Sequence, residues 1–361
     1  MTIRHGDQPG VDLARTAAVR LGGPGELLDL IPYLLGFHPR QSLVLVALRG
    51  QTDSRAGRVG AAVRLDLADL AVDPTAVRRA AGMVSRGADA VVAVVYHDDQ
   101  PTGGVLPAAE AVEDVEREIE DAGVELRDAL LAAGHRWWSY LCSSPDCCPP
   151  EGRPRGEGVS AAVAAATYAG LSVLPDRDAL RATLEPEPDD LRSLRGPALG
   201  MADRAWLDAD RRGTLGRRRT AVKRGLFAQV RLRATESEAL SEMPYPAQLE
   251  EAALIRFGAA LQDVAVRDAC WLAMEARRLP HSSLWIEIAR RLPAPYDAQP
   301  LFLHAWQSWR SGNGALAGLA AARALDSDPS CSAAALLLDT LAHGLDPRTT
   351  PRLRADRRRA G

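Results

Sequence analysis

The sequence predicts an α/β domain, built as a mixed sheet of about four to five strands with covering helices, followed by an all-α helical domain. Short runs rich in Val, Leu and Ala alternate with segments of helical period through the first half of the chain, the pattern of helices packed on a sheet. Near the middle, EPEPDD at Glu185 to Asp190 interrupts the chain; its prolines and unpaired acids extend a linker and bury nothing. Beyond that stretch no strand-like run stands out, and helical patterns fill the remainder.

The elements follow in order. Glu26 to Leu35 is an apolar helical segment with Pro32 inside it, ended by Gly36 and Pro39, and it feeds the buried strand Ser42 to Leu48. A polar turn from Arg49 to Gly57 leads to a second strand, Val59 to Leu67, most simply as a hairpin. Asp73 and Pro74 open a helix to about Arg86, and Asp89 to Tyr96 is so purely β-branched and small that it fits a central strand covered on both faces. From Pro107, apolar residues recur at three- to four-residue steps through Leu126, Leu130 and Ala133, which predicts one amphipathic helix ended by Gly134. Trp137 to Cys142 then reads as the fourth strand. Val159 to Gly170 and Asp176 to Leu184 complete the domain as helices, the latter with Asp176 at its N-cap.

The resulting division is an α/β domain over 15–186, a charged helical connector over 187–245, an all-α repeat-like domain over 246–347 and a basic tail over 348–361. Ala305, Ala317, Ala324 and Pro329 resemble the small-residue and terminal-proline spacing of a tetratricopeptide repeat. They imply a hairpin of Leu301 to Ser311 against Ala315 to Leu325, turned by Gly312, Asn313 and Gly314, with a further helix from Ser332. One such hairpin cannot bury its own apolar face, so it must stack on the preceding helices. An ordinary Ala-rich helical pair is the alternative.

The totals narrow the function classes. The chain has 361 residues, 47% apolar, enough for two domains with real cores. Its five cysteines are an odd number and MTIRHGDQPG is no export segment, so a reduced, cytoplasmic protein is expected. The longest apolar runs, Ala90 to Val95 and Ala333 to Leu338, are far too short to cross a bilayer. Lys223 is the sole lysine, and this Arg and Ala bias looks like high-GC coding. The basic segment Arg204 to Arg233 is therefore read as a solvated, partly salt-bridged face, with no interleaved aromatics to stack on bases, and nucleic acid is not an expected partner. Gly22, Gly23, Gly25 and Gly36 follow no strand and lack a Lys-Ser/Thr ending, which excludes both nucleotide fingerprints.

The densest stretch is HRWWSYLCSSPDCCPPEGRP, His135 to Pro154. Zinc is the cofactor it suggests, because Cys142, Cys147 and Cys148 offer thiolates and His97, or else His135, would supply an imidazole. A second reading is nucleophilic catalysis in a metal- or thiol-dependent hydrolase, with Cys147 or Cys148 as thiolate, His97 as base, Asp98 as its orienter and Glu151 nearby. In a third, the cysteines and tryptophans simply pack a proline-braced loop. If the sheet is largely parallel, the HDD at His97 to Asp99 and the Cys loop share one edge, the place for a small ligand. Arg64, Asp66 and Asp99 are the candidate ligand-binding residues there, although an antiparallel hairpin would move Arg64 and Asp66 to the opposite edge. His38 reads as a turn residue, and His135 as a cation favoured by the preceding helix end.

Leu30 to Phe37 with Pro39 and Ser42 to Val44, the WWSYLC segment, and Cys147 to Gly152 together resemble a family of high-GC Gram-positive bacteria, domain of unknown function 4192, from about Val19 to about Pro347. The resemblance implies a bacterial cytosolic protein and brings no activity with it. The function expected is binding: a small-ligand pocket in the α/β domain, and a protein partner or self-association through the helical domain.

Overall fold

The computed structural model describes residues 23–50, 58–102, 104–156, 160–168, 173–239, 248–347 and 349–353. The turn expected at 51–57, the ends of the helix expected at 159–170, Gly22 and the tail from 354 lie outside them. The described residues fall into two compact units, one up to Leu180 and one from Arg181 onward.

The first unit runs α1 (Pro24–Leu35), β1 (Ser42–Arg49), β2 (Arg58–Asp66), α2 (Leu67–Leu70), α3 (Ala76–Val84), β3 (Ala90–Tyr96), α4 (Ala109–Asp121), β4 (Glu125–Ala133), β5 (Arg136–Ser139), β6 (Arg153–Pro154), α5 (Ala161–Tyr168) and into α6 (Arg177–Ala182). Pro24 starts α1 where its missing N–H costs nothing, and Gly36 ends it in the left-handed region at φ 82. Asp176 caps α6 as expected, accepting the Ala179 N–H at 2.7 Å.

The six strands form one sheet in the order β2-β1-β3-β4-β5-β6. The expected hairpin is present, with β1 antiparallel to β2. β1 is also antiparallel to β3, and β4 to β5 and β5 to β6, so β3 with β4 is the only parallel pair among the described strands. The sheet is mixed, not largely parallel. β3 is buried along its whole length: Val91, Ala93 and Val95 face a core with Val77, Ala80 and Val84 of α3 and Val112, Val115 and Ile119 of α4. Toward the other face, the Tyr96 hydroxyl donates to the Leu28 carbonyl of α1 at 3.3 Å.

One expectation is overturned between Pro107 and Ala133. The single long helix is a helix and a strand, because Gly123 adopts φ 70 and its N–H and that of Val124 close the end of α4 on Glu120 O and Ile119 O. The chain then turns back as β4, whose Ala129 to Ala133 are buried on both faces beside β3. The strand expected at Trp137 to Cys142 is accordingly the fifth, and it ends at Ser139.

The second unit is all helical: α7 (Asp189–Ser193), α8 (Gly196–Arg211), α9 (Leu215–Ala239), α10 (Glu251–Leu261), α11 (Val264–Glu275), α12 (Leu284–Arg291), α13 (Ala298–Arg310), α14 (Gly314–Ser327) and α15 (Ser332–Ala342). Residues 187–245, expected as a connector, contribute Leu199, Val222, Leu226 and Val230 to the same core as Phe257, Trp285 and Phe302. The hairpin of α13 and α14 stands where the spacing put it, with Gly312 at φ 87 and Asn313 capping α14 through Leu316 N at 3.0 Å. Trp271 lies edge-on to Phe302 and Trp306, at centroid distances of 4.9 and 4.8 Å. Within the basic segment, Arg219 pairs with Asp263 at 2.8 Å and Arg233, 4% exposed, with Glu287 at 2.7 Å. No helix among the described residues is long and apolar enough to cross a membrane.

Candidate metal centre

The thiol loop hangs from the β4–β5 hairpin. Gly134, at φ 59, turns the chain, and β5 lays Trp138 into the sheet core. At the far end of β5 the Ser139 hydroxyl donates to Asp128 Oδ1 of β4 at 2.9 Å and accepts the N–H groups of Leu141 and Cys142, each at 3.2 Å. Asp128 also accepts its neighbour Ala129 N–H. The first cysteine is thus fixed to the sheet through its own amide.

The rest of the loop is closed by backbone contacts. Ser144 O accepts both Cys147 and Cys148 N–H, at 3.1 and 2.7 Å, and Pro149 O accepts Gly152 N–H at 2.8 Å. The Trp138 indole donates to Pro150 O at 3.0 Å, Arg136 donates to Gly152 O at 2.7 Å, and Arg153 Nε donates to Cys147 O. Prolines remove two further degrees of freedom at 149 and 150. The outcome is that the sulfurs of Cys142, Cys147 and Cys148 all lie within 4.8 Å of one another. Three thiolates on a tetrahedral zinc, at about 2.3 Å from the ion, stand about 3.8 Å apart, so a small inward movement suffices.

Protonation follows from this crowding. The Cys142 thiol is held below its ordinary value because the Ser144 N–H and the thiols of Cys148 and Cys147 all stabilise its anion, an effect the Asp128 charge opposes. Cys148 is pushed up to about 12, first by burial and then because the other two sulfurs compete with it for protons and charge. The Cys142 thiolate forms readily and that of Cys148 resists. A soft divalent cation removes that conflict, and thiolates select zinc or other soft ions over magnesium or calcium.

The other predicted residues sit elsewhere. β5 runs antiparallel to β4 and β4 parallel to β3, so His97, whose N–H bonds Ala132 O, lies past the C-terminal end of β3, while β5 carries the thiol loop away in the opposite direction. The Ser139 and Asp128 levels lie two and four residues of strand from that of Ala132, about 7 and 13 Å. Among the described residues the thiol group includes no histidine. Nor does Asp98 orient His97: its carboxylate is taken by Arg40 at 3.4 Å and Gln41 at 3.3 Å, while His97 Nδ1 accepts Asp99 N–H at 3.0 Å. His135 lines a separate recess with Asp29 and Arg155, and the exposed Glu151 offers its carbonyl to Arg136.

Arg64 and Asp66 do share an edge with His97. Because β1 is antiparallel to both neighbours, Asp66, Ser42 and Tyr96 form one row across the sheet, and the hairpin brings those ends together instead of parting them. Burial raises the Asp66 carboxyl, but the hydrogen bond and charge of Arg64, with Arg177 at 2.9 Å, outweigh it and hold it below the ordinary value. Beside His97, an open depression is lined by Asp99, Gln100, Thr102, Val105 and Pro107.

Asp128 and Ser139, which anchor the thiol loop, are the residues of this candidate site that sequence reasoning missed. The overlooked signal was Gly123, which stops the helix and turns the following residues into a strand. No curated protein and no solved structure matches this chain. The match that exists covers residues 24–348, and so takes in α1, the sheet, the thiol loop and the helical unit. The chain belongs to the family described as Domain of unknown function (DUF4192).

Proposed function

We propose that this is a bacterial cytosolic binding protein, in which the α/β unit holds a zinc ion on Cys142, Cys147 and Cys148 and the helical unit engages a protein partner or itself. The observation that carries the metal reading is the convergence of three sulfurs within 4.8 Å on a loop braced from both strands. A reducing compartment suits it, since oxidation would consume the ligands. The fourth position is left to water or an incoming ligand, and the depression beside His97 is the place for a separate small ligand. The protein-binding reading rests on the α13–α14 hairpin and the helix stacked after it, an arrangement that resembles a tetratricopeptide repeat. The hydrolase alternative loses support, because β5 carries the thiol loop away from His97 and Asp98 is occupied by Arg40.

The test is elemental analysis of protein purified under reducing conditions, with a count of reactive thiols. Stoichiometric zinc, lost together with thiol protection in Cys148→Ser, is expected. A metal-free protein that fails to take up added zinc, with all three thiols freely alkylated, would return the loop to a packing role.

A further inference from the structure

One border of the sheet is β2, which runs nine residues from Arg58 to Asp66 and pairs on one side only, with β1. An open border of that length is ordinarily blunted by lysine, proline or a covering segment. Between Val59 and Asp66 the chain has neither lysine nor proline, and every residue there is partly exposed. The one irregularity is a bulge: Val46 pairs with Ala62 and Leu48 with Val59, so Gly60 and Ala61 together face Ala47.

The phase of the strands decides which backbone groups point outward. His97 N–H bonds Ala132 O of β4, so Tyr96, one residue back, turns its N–H toward β1, and its partner Ser42 turns toward β3. Leu43 with Leu65, and Leu45 with Val63, are then the hydrogen-bonded pairs between β1 and β2. The Leu67 N–H on Gln41 O at 3.0 Å gives the same phase from the end of the strand. Ala62 and Arg64 fall between these positions and direct their N–H and C=O groups away from β1. Among the described residues none of those groups has a partner.

We propose that β2 is a dimerisation strand, which pairs antiparallel with β2 of a second copy of this chain about a two-fold axis at Val63. Around that residue the strand is small on one side and large on the other: Gly60, Ala61 and Ala62 precede it, and Arg64, Leu65 and Asp66 follow. Antiparallel pairing centred there sets Arg64 against the partner's Ala62 and Leu65 against the partner's Ala61. Ala62 and the partner's Arg64 exchange both N–H···O bonds, as do Arg64 and the partner's Ala62, so the free groups on both strands are satisfied together. Val63 meets its own counterpart and continues the apolar layer that Val63, Leu65 and Leu67 lay against the core under α3. Centring the pair on Arg64 instead would set two guanidiniums opposite each other, which is unfavourable. At Val63 the ion pair of Arg64 with Asp66 stays within each strand. This self-match selects a second copy over an unrelated strand. The surface belongs to the α/β unit and so goes beyond the self-association assigned above to the helical unit.

Sedimentation equilibrium of the full chain should give a dimer. Ala62→Pro deletes an outward N–H and no inward one, a change that an edge strand accommodates, and should weaken the dimer about thirtyfold or more with the helix signal unchanged. A second readout does not depend on that variant. Val63→Cys places two thiols at a non-hydrogen-bonded pair, about 4.5 Å between α-carbons and within disulfide reach, so oxidised glutathione should join two copies through that position. Leu65→Cys should not couple to itself, because its two copies stand four residues apart in register, about 13 Å. Mass spectrometry of the bridged peptides separates these products from bridges made by the native thiols. A monomer at all concentrations would overturn the proposal, as would a dimer indifferent to a folded Ala62→Pro chain or equal coupling at positions 63 and 65.

Discussion

Gly152 lies flat against the indole of Trp138: a β-carbon at position 152 would stand 2.3 Å from one ring carbon and 2.7 Å from Nε1, and the backbone there has φ 76. Both conditions exclude other residues, and together they close the thiol loop onto β5.

Gly152→Ala should therefore displace Trp138 and break its bond to Pro150 O. Left-handed strain and overpacking combine to a cost of roughly 2 kcal/mol or more. Thermal denaturation and zinc affinity of the variant measure it, and both should fall together because the same ring braces the core and the loop.

In metal-free protein, alkylation at pH 8 should label Cys142 well before Cys148, since the Cys142 anion is stabilised and the Cys148 anion is disfavoured by burial and by its neighbours. Asp128→Asn keeps an oxygen to accept from Ser139 but removes a charge that raises Cys142. Mass-spectrometric rates should show faster labelling of Cys142 in that variant. Slower labelling would mean that the anchor, not the charge, controls the thiol.

His304, 7% exposed, is lowered to about 4 by burial and by the charge of nearby His281. The unfolded chain takes up this proton below about 6.5 and the folded chain does not until about 4, so stability is complete above that window and falls as pH drops through it. The loss should amount to roughly 2–4 kcal/mol by pH 4. Urea midpoints at pH 7, 5.5 and 4.5 trace it, and His304→Gln should flatten the curve.

Arg233→Met should destabilise the helical unit by about 1.5–3 kcal/mol, because it removes both donors on Glu287 Oε2 and leaves that carboxylate with only Leu249 N–H and Arg291. Guanidinium unfolding followed by helix signal is the measurement. Restoration by the double change Arg233→Met with Glu287→Gln would assign the cost to the under-paired Glu287 carboxylate.

Much of the fold was legible where local chemistry is unambiguous. Gly36 ends α1, the Val-rich β3 reads as a covered strand, and Gly312 with Asn313 marks the turn between α13 and α14. The failure at β4 has a physical cause. Ala129 to Ala133 are buried on both faces, which erases the alternation that identifies a strand, and Leu126, Leu130 and Ala133 then fit a helical step equally well. The same ambiguity hid Asp128 and Ser139. Cysteine spacing disclosed the thiols because all three lie on one short loop, whereas the separation of His97 depends on strand direction, which no single segment encodes.

The last strand of the sheet carries a consequence for how the protein meets other chains. Arg155 N–H points inward to His135 O and Arg153 pairs with Trp137, so the residue between them turns its nitrogen outward. That residue is Pro154, which has no hydrogen there to give. The border of the sheet is two residues long and lacks the donor that an approaching strand would need at its centre, so β6 closes this flank against templated growth and fibre-like stacking.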